Sequence, residues 1–373
     1  MNMLPSSEMQ NCPIGDSTIQ SHPSIASFRR SVVSIYALAH FLIDFCSAAL
    51  VFGSLHVSDD WKLILLLYNF CAFALQMPIG LIADRFRQSS LFVMLSCVPL
   101  IAACILGGVL GARAALVTAI LAGIGNGLFH IGGGIEVLNV SRDSVGPLGV
   151  FVAPGALGVF LGTLTGKQFG LSIPVVLLLF AALAAVLIMP RLVSKTPVSL
   201  TRTEFSLAAL KHIPALTCLG VLFLVVCLRS YMGMALPFPW KGEGAYQVVL
   251  VCALALGKAA GGILADRLGL VRVSVGSLLL AAALLLFPAS PFAGIAAVFL
   301  INTTMPVTLW ALSRIFPGAK GFSFGVLTFA LFLGFVAVFL GLEFPGAYVG
   351  VSLVTVASAA LLFLGLRRAP YGG

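Results

Sequence analysis

Apolar residues run without interruption through most of this chain, as at 63–67, 175–185 and 278–287. Such runs do not alternate, so they do not suit strands with one wet face. In lipid a helix satisfies its own backbone polar groups, and continuous apolar runs are what spanning helices need. Composition agrees: 60% of the 373 residues are hydrophobic and 9% charged, with a mean hydropathy of +1.12. A soluble domain carries ~25% charged residues. That gap excludes a water-soluble enzyme, a secreted disulfide scaffold and a nucleic-acid-binding protein. The sequence reads as an all-α polytopic membrane protein.

Apolar windows predict twelve transmembrane helices. The first six cover 31–54, 62–83, 91–110, 114–137, 144–166 and 170–189; the others cover 214–236, 245–265, 271–287, 292–312, 322–341 and 347–366. Twelve helices of ~20 residues use ~240, so the connections are short and leave no room for a soluble domain. Lys and Arg favour the cytoplasmic side. With the N-terminus inside, fifteen of the 21 basic residues lie on inner segments and four outside; Arg229 and Lys258 fall within spans. The net charge of +9 is therefore mostly topology, with both termini cytoplasmic and no nucleic-acid partner.

Residues 1–30 read as a disordered cytoplasmic tail without a signal peptide's basic start and apolar core. A six-helix bundle over 31–189 follows, then a cytoplasmic linker over 190–213. A second bundle occupies 214–366, and 367–373 form a short tail. Seven of the eight cysteines sit inside apolar spans with no C-x-x-C pair, so neither a disulfide nor a metal site is expected.

A duplication divides the chain. Gly80-Leu-Ile-Ala-Asp84-Arg85-Phe ends the second predicted span, and Gly262-Ile-Leu-Ala-Asp266-Arg267-Leu ends the eighth. Internal repeats in matching positions of two halves mark secondary transporters. The two segments resemble the G-x-x-x-D-R cytoplasmic loop motif of the major facilitator superfamily. The resemblance implies two pseudo-symmetric six-helix bundles around a central cavity. It makes Asp84, Arg85, Asp266 and Arg267 conformational-switch residues that hold the outward-facing state. Ala39-His40-Phe-Leu-Ile-Asp44 and Gly123-Ile-Gly-Asn126-Gly-Leu-Phe-His130 further resemble the first and fourth helices of the fosmidomycin-resistance family of efflux proteins. In that family the His is usually followed by Pro-Glu, but here by Ile131-Gly132.

Ionisable side chains inside a bilayer are costly and point to function. His40 and Asp44, four apart, share a helix face. At 1.5 Å per residue Asp44 and Arg229 lie ~20 and ~22 Å from the inner end, with His40 and His130 at ~13 and ~10 Å. These depths predict an Asp44–Arg229 pair opened by substrate or a proton, with histidine as proton carrier. Asn126 is expected to orient His130. Secondary candidates are Lys258, snorkelling or lining the cavity, Glu136, in a network with Arg142 or Asp143, and Asn302, facing substrate or joining helices. Glycines 146, 149, 155, 158 and 162 read as a packing surface.

No catalytic, metal-binding or ATP-binding constellation is visible, so no cofactor is expected and any uphill transport draws on an ion gradient. The expected function is proton-coupled transport of a small organic compound or drug by a monomer in the cytoplasmic membrane. Arg229 points to an anion, and the fosmidomycin-resistance resemblance favours export. The alternative is proton-coupled uptake of an organic or phosphorylated anion.

Overall fold

The computed structural model describes residues 23–55, 60–193, 203–236, 238–342 and 347–369. These residues form fourteen α-helices. Those of the first half are α1 (Pro23–Leu55), α2 (Trp61–Asn69), α3 (Gln76–Phe86), α4 (Ser89–Leu110), α5 (Ala115–Ser141), α6 (Gly146–Phe169) and α7 (Ile173–Leu192). The second half holds α8 (Ile213–Ala235), α9 (Tyr246–Leu268), α10 (Leu270–Leu284), α11 (Pro291–Asn302), α12 (Thr304–Ile315), α13 (Lys320–Phe339) and α14 (Ala347–Arg368).

Among the described residues, ten stretches are long and apolar enough to cross a membrane. One of them, Ser89–Ser141, has 53 residues, ~80 Å at 1.5 Å per residue. That is more than twice a hydrocarbon core of ~30 Å. The chain breaks it into α4 and α5 at a 3-10 turn, Gly111–Ala114, where Gly111 takes φ +55°. α10 is apolar but only 15 residues long. Ile173, Leu177 and Phe292 point outward, as apolar side chains do when lipid replaces water.

Several boundaries differ from the sequence reading. Helix α1 starts at Pro23, so residues 23–30 continue the first span and are not a disordered tail; residues 1–22 lie outside the described residues. Helix α7 runs to Leu192 and a 3-10 turn occupies Ala208–Lys211, which trims the expected linker at both ends. Residues 194–202 lie outside the description. The second span is not one regular helix: a π-turn at Phe70–Ala74 joins α2 to α3. The tenth is interrupted between α11 and α12 at Thr303. By contrast α6 runs unbroken past Pro154, because close packing on both faces holds it.

Helix α6 positions the interior. Gly155, Gly158 and Gly162 face α1, where the His40 and Asp44 side chains leave no space at Gly155 and the Phe41 and Phe45 carbonyls none at Gly158 and Gly162; Gly146 and Gly149 face α9. Small residues let membrane helices approach closely where apolar burial gives no net drive. The glycine surface thus ties α6 to both halves.

Candidate functional site

Four residues named from sequence meet in one buried cluster. His40 and Asp44 project from α1, Asn126 and His130 from α5, and each is at most 8% exposed. The His40 Nε2 lies 3.2 Å from Asp44 Oδ2, and the His130 Nε2 lies 3.8 Å from Oδ1. Asn126 Nδ2 donates to Oδ1 at 2.7 Å. The imidazole rings meet edge to face, centroids 4.5 Å apart.

Backbone carbonyls set the proton positions on both rings. His40 Nδ1 sits 2.8 Å from the Phe151 oxygen, and His130 Nδ1 lies 2.9 Å from the Asn126 oxygen. A carbonyl only accepts, so each Nδ1 must be the donor. In neutral rings both Nε2 atoms then present lone pairs to a carboxylate that also only accepts. A further proton, on Nε2 or on the carboxyl, turns that opposition into a hydrogen bond. Both Nε2 atoms and the carboxylate thus converge on one point, where a proton or another cation would reconcile three acceptors.

Asn126 contacts both His130 and Asp44. Its backbone oxygen receives His130, while its amide holds Asp44 and touches Ser47 Oγ at 3.3 Å. Tyr68 of the second span lies within interaction range of Ser47 and Asp44. A side chain at Gly155 would strike both His40 and Asp44. Sequence reading overlooked Ser47, Tyr68 and Phe151. The seven-residue spacing of Tyr36, Ile43 and Leu50 marks only a packing face of α1, and no spacing rule reaches from one helix to another's carbonyl.

Arg229 on α8 stands apart from this cluster. It is 8% exposed, and its Nη1 has no hydrogen-bond partner. Asp44 therefore does not pair with Arg229, contrary to the depth argument: Asn126 and the two histidines of its own half already surround the carboxylate. Lys258 lies within electrostatic reach of Asp44, His130 and Arg229, so it belongs to the interior layer and does not reach for an interface. The other candidates are local. Glu136 accepts from Ser89 Oγ at 2.6 Å, while Asp143 instead pairs with Arg314 at 3.2 Å. Asn302 Nδ2 donates to the Val298 oxygen one turn back.

The duplicated motifs form two latches between the halves. Asp84, at the end of α3, accepts the Gly321 and Phe322 backbone N–H groups, both at 2.8 Å, at the start of α13. Asp266, at the end of α9, accepts Val145 N–H at 2.6 Å and Gly146 N–H at 2.8 Å at the start of α6, along with the Ser144 hydroxyl. Each carboxylate satisfies orphan donors at a helix N-terminus and meets the positive end of its dipole. A Cβ on Gly80 would run into the Gly321 carbonyl, and one on Gly262 into that of Val145. The motif's glycine brings the helices together and its aspartate fastens them. Arg85 and Arg267 are exposed. Lys320 Nζ to Asn139 at 2.9 Å and Trp310 Nε1 to the Arg142 oxygen at 3.0 Å add to the seam. These links all lie at the arginine-rich ends of the helices.

No family model matches the sequence, and no curated protein does. Solved structures do match. The transporter FucP in its outward conformation aligns with a TM-score of 0.67 at 14% identity, covering 91% of this chain and 99% of that one. The human organic anion transporter MFSD10 gives 0.63 at 15%, covering 91% and 99%. A bacterial homologue of the iron transporter ferroportin, in its outward-facing state, gives 0.65 at 14%, covering 90% and 98%. At such identities the likeness speaks for architecture: this chain is an all-helical membrane protein with the fold of the major facilitator superfamily transporters.

Proposed function

We propose that this chain is a proton-coupled secondary transporter that moves a small organic anion across the cytoplasmic membrane by alternating access. The observation that carries the reading is a buried Arg229 whose Nη1 has no hydrogen-bond partner, in a chain whose other interior cluster needs a proton to be internally satisfied. A buried guanidinium without a counter-charge is expensive; an anionic substrate supplies what it lacks.

In this reading α4 and α5 are separate crossings and α10 is a short one, which makes twelve spans in two six-helix halves with both termini inside. The arginine-rich end then faces the cytoplasm, and the latches of Asp84 and Asp266 close that side. A tag after Leu366 or within 190–213 is expected to be labelled only after the membrane is permeabilised. Labelling of intact cells would overturn the topology.

Charge sets the direction of coupling. A proton on the cluster removes the negative charge of Asp44 or adds a positive one, and either change raises affinity for an anion nearby. Proton and anion then bind together, which under an inward proton gradient is uptake. Export is the second reading, supported by the resemblance of the first and fourth helices to the fosmidomycin-resistance family. It calls for a substrate that competes with the proton. Proteoliposomes holding a pH-sensitive dye separate the two when challenged with carboxylates and phosphorylated compounds. The expected transported compound acidifies the lumen when added outside. Alkalinisation would favour exchange, and accumulation without proton movement would remove the coupling altogether.

Asp84 and Asp266 serve as conformational latches in this cycle. Asp84→Asn weakens the grip on α13, since a neutral amide is a poorer acceptor at a helix N-terminus. Transport is expected to slow by tenfold or more with substrate affinity within a few fold. A large affinity loss at normal exchange rate would put Asp84 in the binding site instead.

A further inference from the structure

A polar cavity lies away from the buried His40–Asp44–His130 cluster, in the latched seam itself. It has a volume of about 280 Å³ and is walled by both halves. Asn139, Arg142 and Asp143 contribute from the end of α5 and the turn after it, and Trp310, Arg314 and Lys320 from α12 and the start of α13.

The charges in this seam do not balance. Arg142 approaches from one half, Arg314 and Lys320 from the other, and Arg29 on α1 feels the charge of Arg142. Asp143 is the lining carboxylate; it pairs with Arg314 through one oxygen and is largely exposed. Asp84, in the adjoining smaller cavity, has both oxygens engaged on α13. Among the described residues the Arg142 guanidinium has no hydrogen-bond or ion-pair partner. Its backbone is held at φ +47°, a conformation that strains a non-glycine residue, and Trp310 grips its carbonyl. Closing the seam therefore gathers like charges from opposite halves, and opening it separates them. Positive-inside bias accounts for basic residues at this end of the helices. It does not account for their convergence on one cavity.

We propose that this cavity binds a small phosphate-bearing anion from the cytoplasmic side, and that the bound anion holds the two halves latched. Three cations around a space of this size suit a compact multivalent oxyanion, whether a soluble phosphate compound or the headgroup of an anionic lipid. Because both halves supply the walls, the ligand binds the latched state alone and shifts the population toward it. High occupancy slows transport without touching the interior cluster. The site stands independently of the substrate reading above.

The test is calorimetric titration of the purified full chain in detergent with pyrophosphate and with inorganic phosphate. One equivalent of pyrophosphate is expected per chain, bound more tightly than phosphate. Arg142→Gln and, separately, Arg314→Gln should each weaken it tenfold or more. Arg367→Gln, basic and at the same end but outside the cavity, should not. The double variant Asp84→Asn/Asp266→Asn, with its latches loosened, should also bind more weakly. Added phosphatidylglycerol distinguishes the sources: competition with pyrophosphate identifies a lipid headgroup, and its absence a soluble compound. No binding of either probe by the unaltered protein would overturn the proposal. So would affinity unchanged by Arg142→Gln and Arg314→Gln, an equal loss in Arg367→Gln, or full affinity in the unlatched double variant.

Discussion

Replacing Arg229 by alanine is expected to abolish substrate binding while leaving the fold as stable as before, or more so. Stability and binding part company here because the guanidinium is buried with Nη1 unpartnered. A charge in that state costs folding energy, and its removal relieves the cost. Bound substrate reverses the account. A charge-assisted hydrogen bond contributes ~1.5–3 kcal/mol, and each ~1.4 kcal/mol is tenfold in affinity. Loss of a two-pronged contact then weakens binding by at least about a hundredfold. Arg229→Lys restores the charge but not the planar fork, so it should recover only part. Thermal unfolding and equilibrium binding on the same preparations check both halves of the expectation. A variant that unfolds well below the parent yet binds substrate normally would make Arg229 a structural residue.

What could be read in advance followed the physics of each feature. The all-helical membrane class came through because apolar length is a property of one segment at a time; among the described residues ten stretches, not twelve, are long and apolar enough to cross a membrane. The duplicated Gly-x-x-x-Asp-Arg was visible for the same reason, and its position at two matching helix ends already implied a shared task. Its partners were not legible: Asp84 binds backbone N–H groups 237 and 238 residues away, and a backbone donor has no sequence signature. The pairing of Asp44 failed on similar grounds. Depth along a helix gives one coordinate and says nothing about the facing wall, so an arginine at the right level looked like a partner. The closer neighbours were the histidines, one on the same helix and one brought in by α5. The π-turn at Phe70–Ala74 and the break at Thr303 were hidden too, because both lie within apolar runs that read as regular helix.

Asp44→Asn should separate the movement of substrate from the movement of protons. The asparagine has the size of the carboxylate, and its amide can donate to the His40 Nε2 that Asp44 now faces at 3.2 Å. It thus imitates the protonated carboxyl, so the cluster keeps its packing against Gly155 and the chain folds. In the proposed cycle of the unaltered protein, raising the pH strips the cluster of its proton and leaves a bare carboxylate that disfavours an anion in the interior. Substrate affinity should therefore fall toward alkaline pH. In the variant that position is neutral at every pH, and affinity should stay flat near the parent's acidic value. Exchange of labelled for unlabelled substrate across vesicles needs no net proton movement and should continue. Uphill accumulation driven by a pH gradient should drop to the level of protein-free vesicles. His130→Gln tests whether the second ring is required: its Nε2, 3.8 Å from the carboxylate, is placed to relay the proton, so loss of the ring should slow driven accumulation more than exchange. An Asp44→Asn protein that still concentrates substrate under a pH gradient would move the coupling site elsewhere. The half-buried Lys258, within electrostatic reach of both Asp44 and Arg229, is then the next group to substitute.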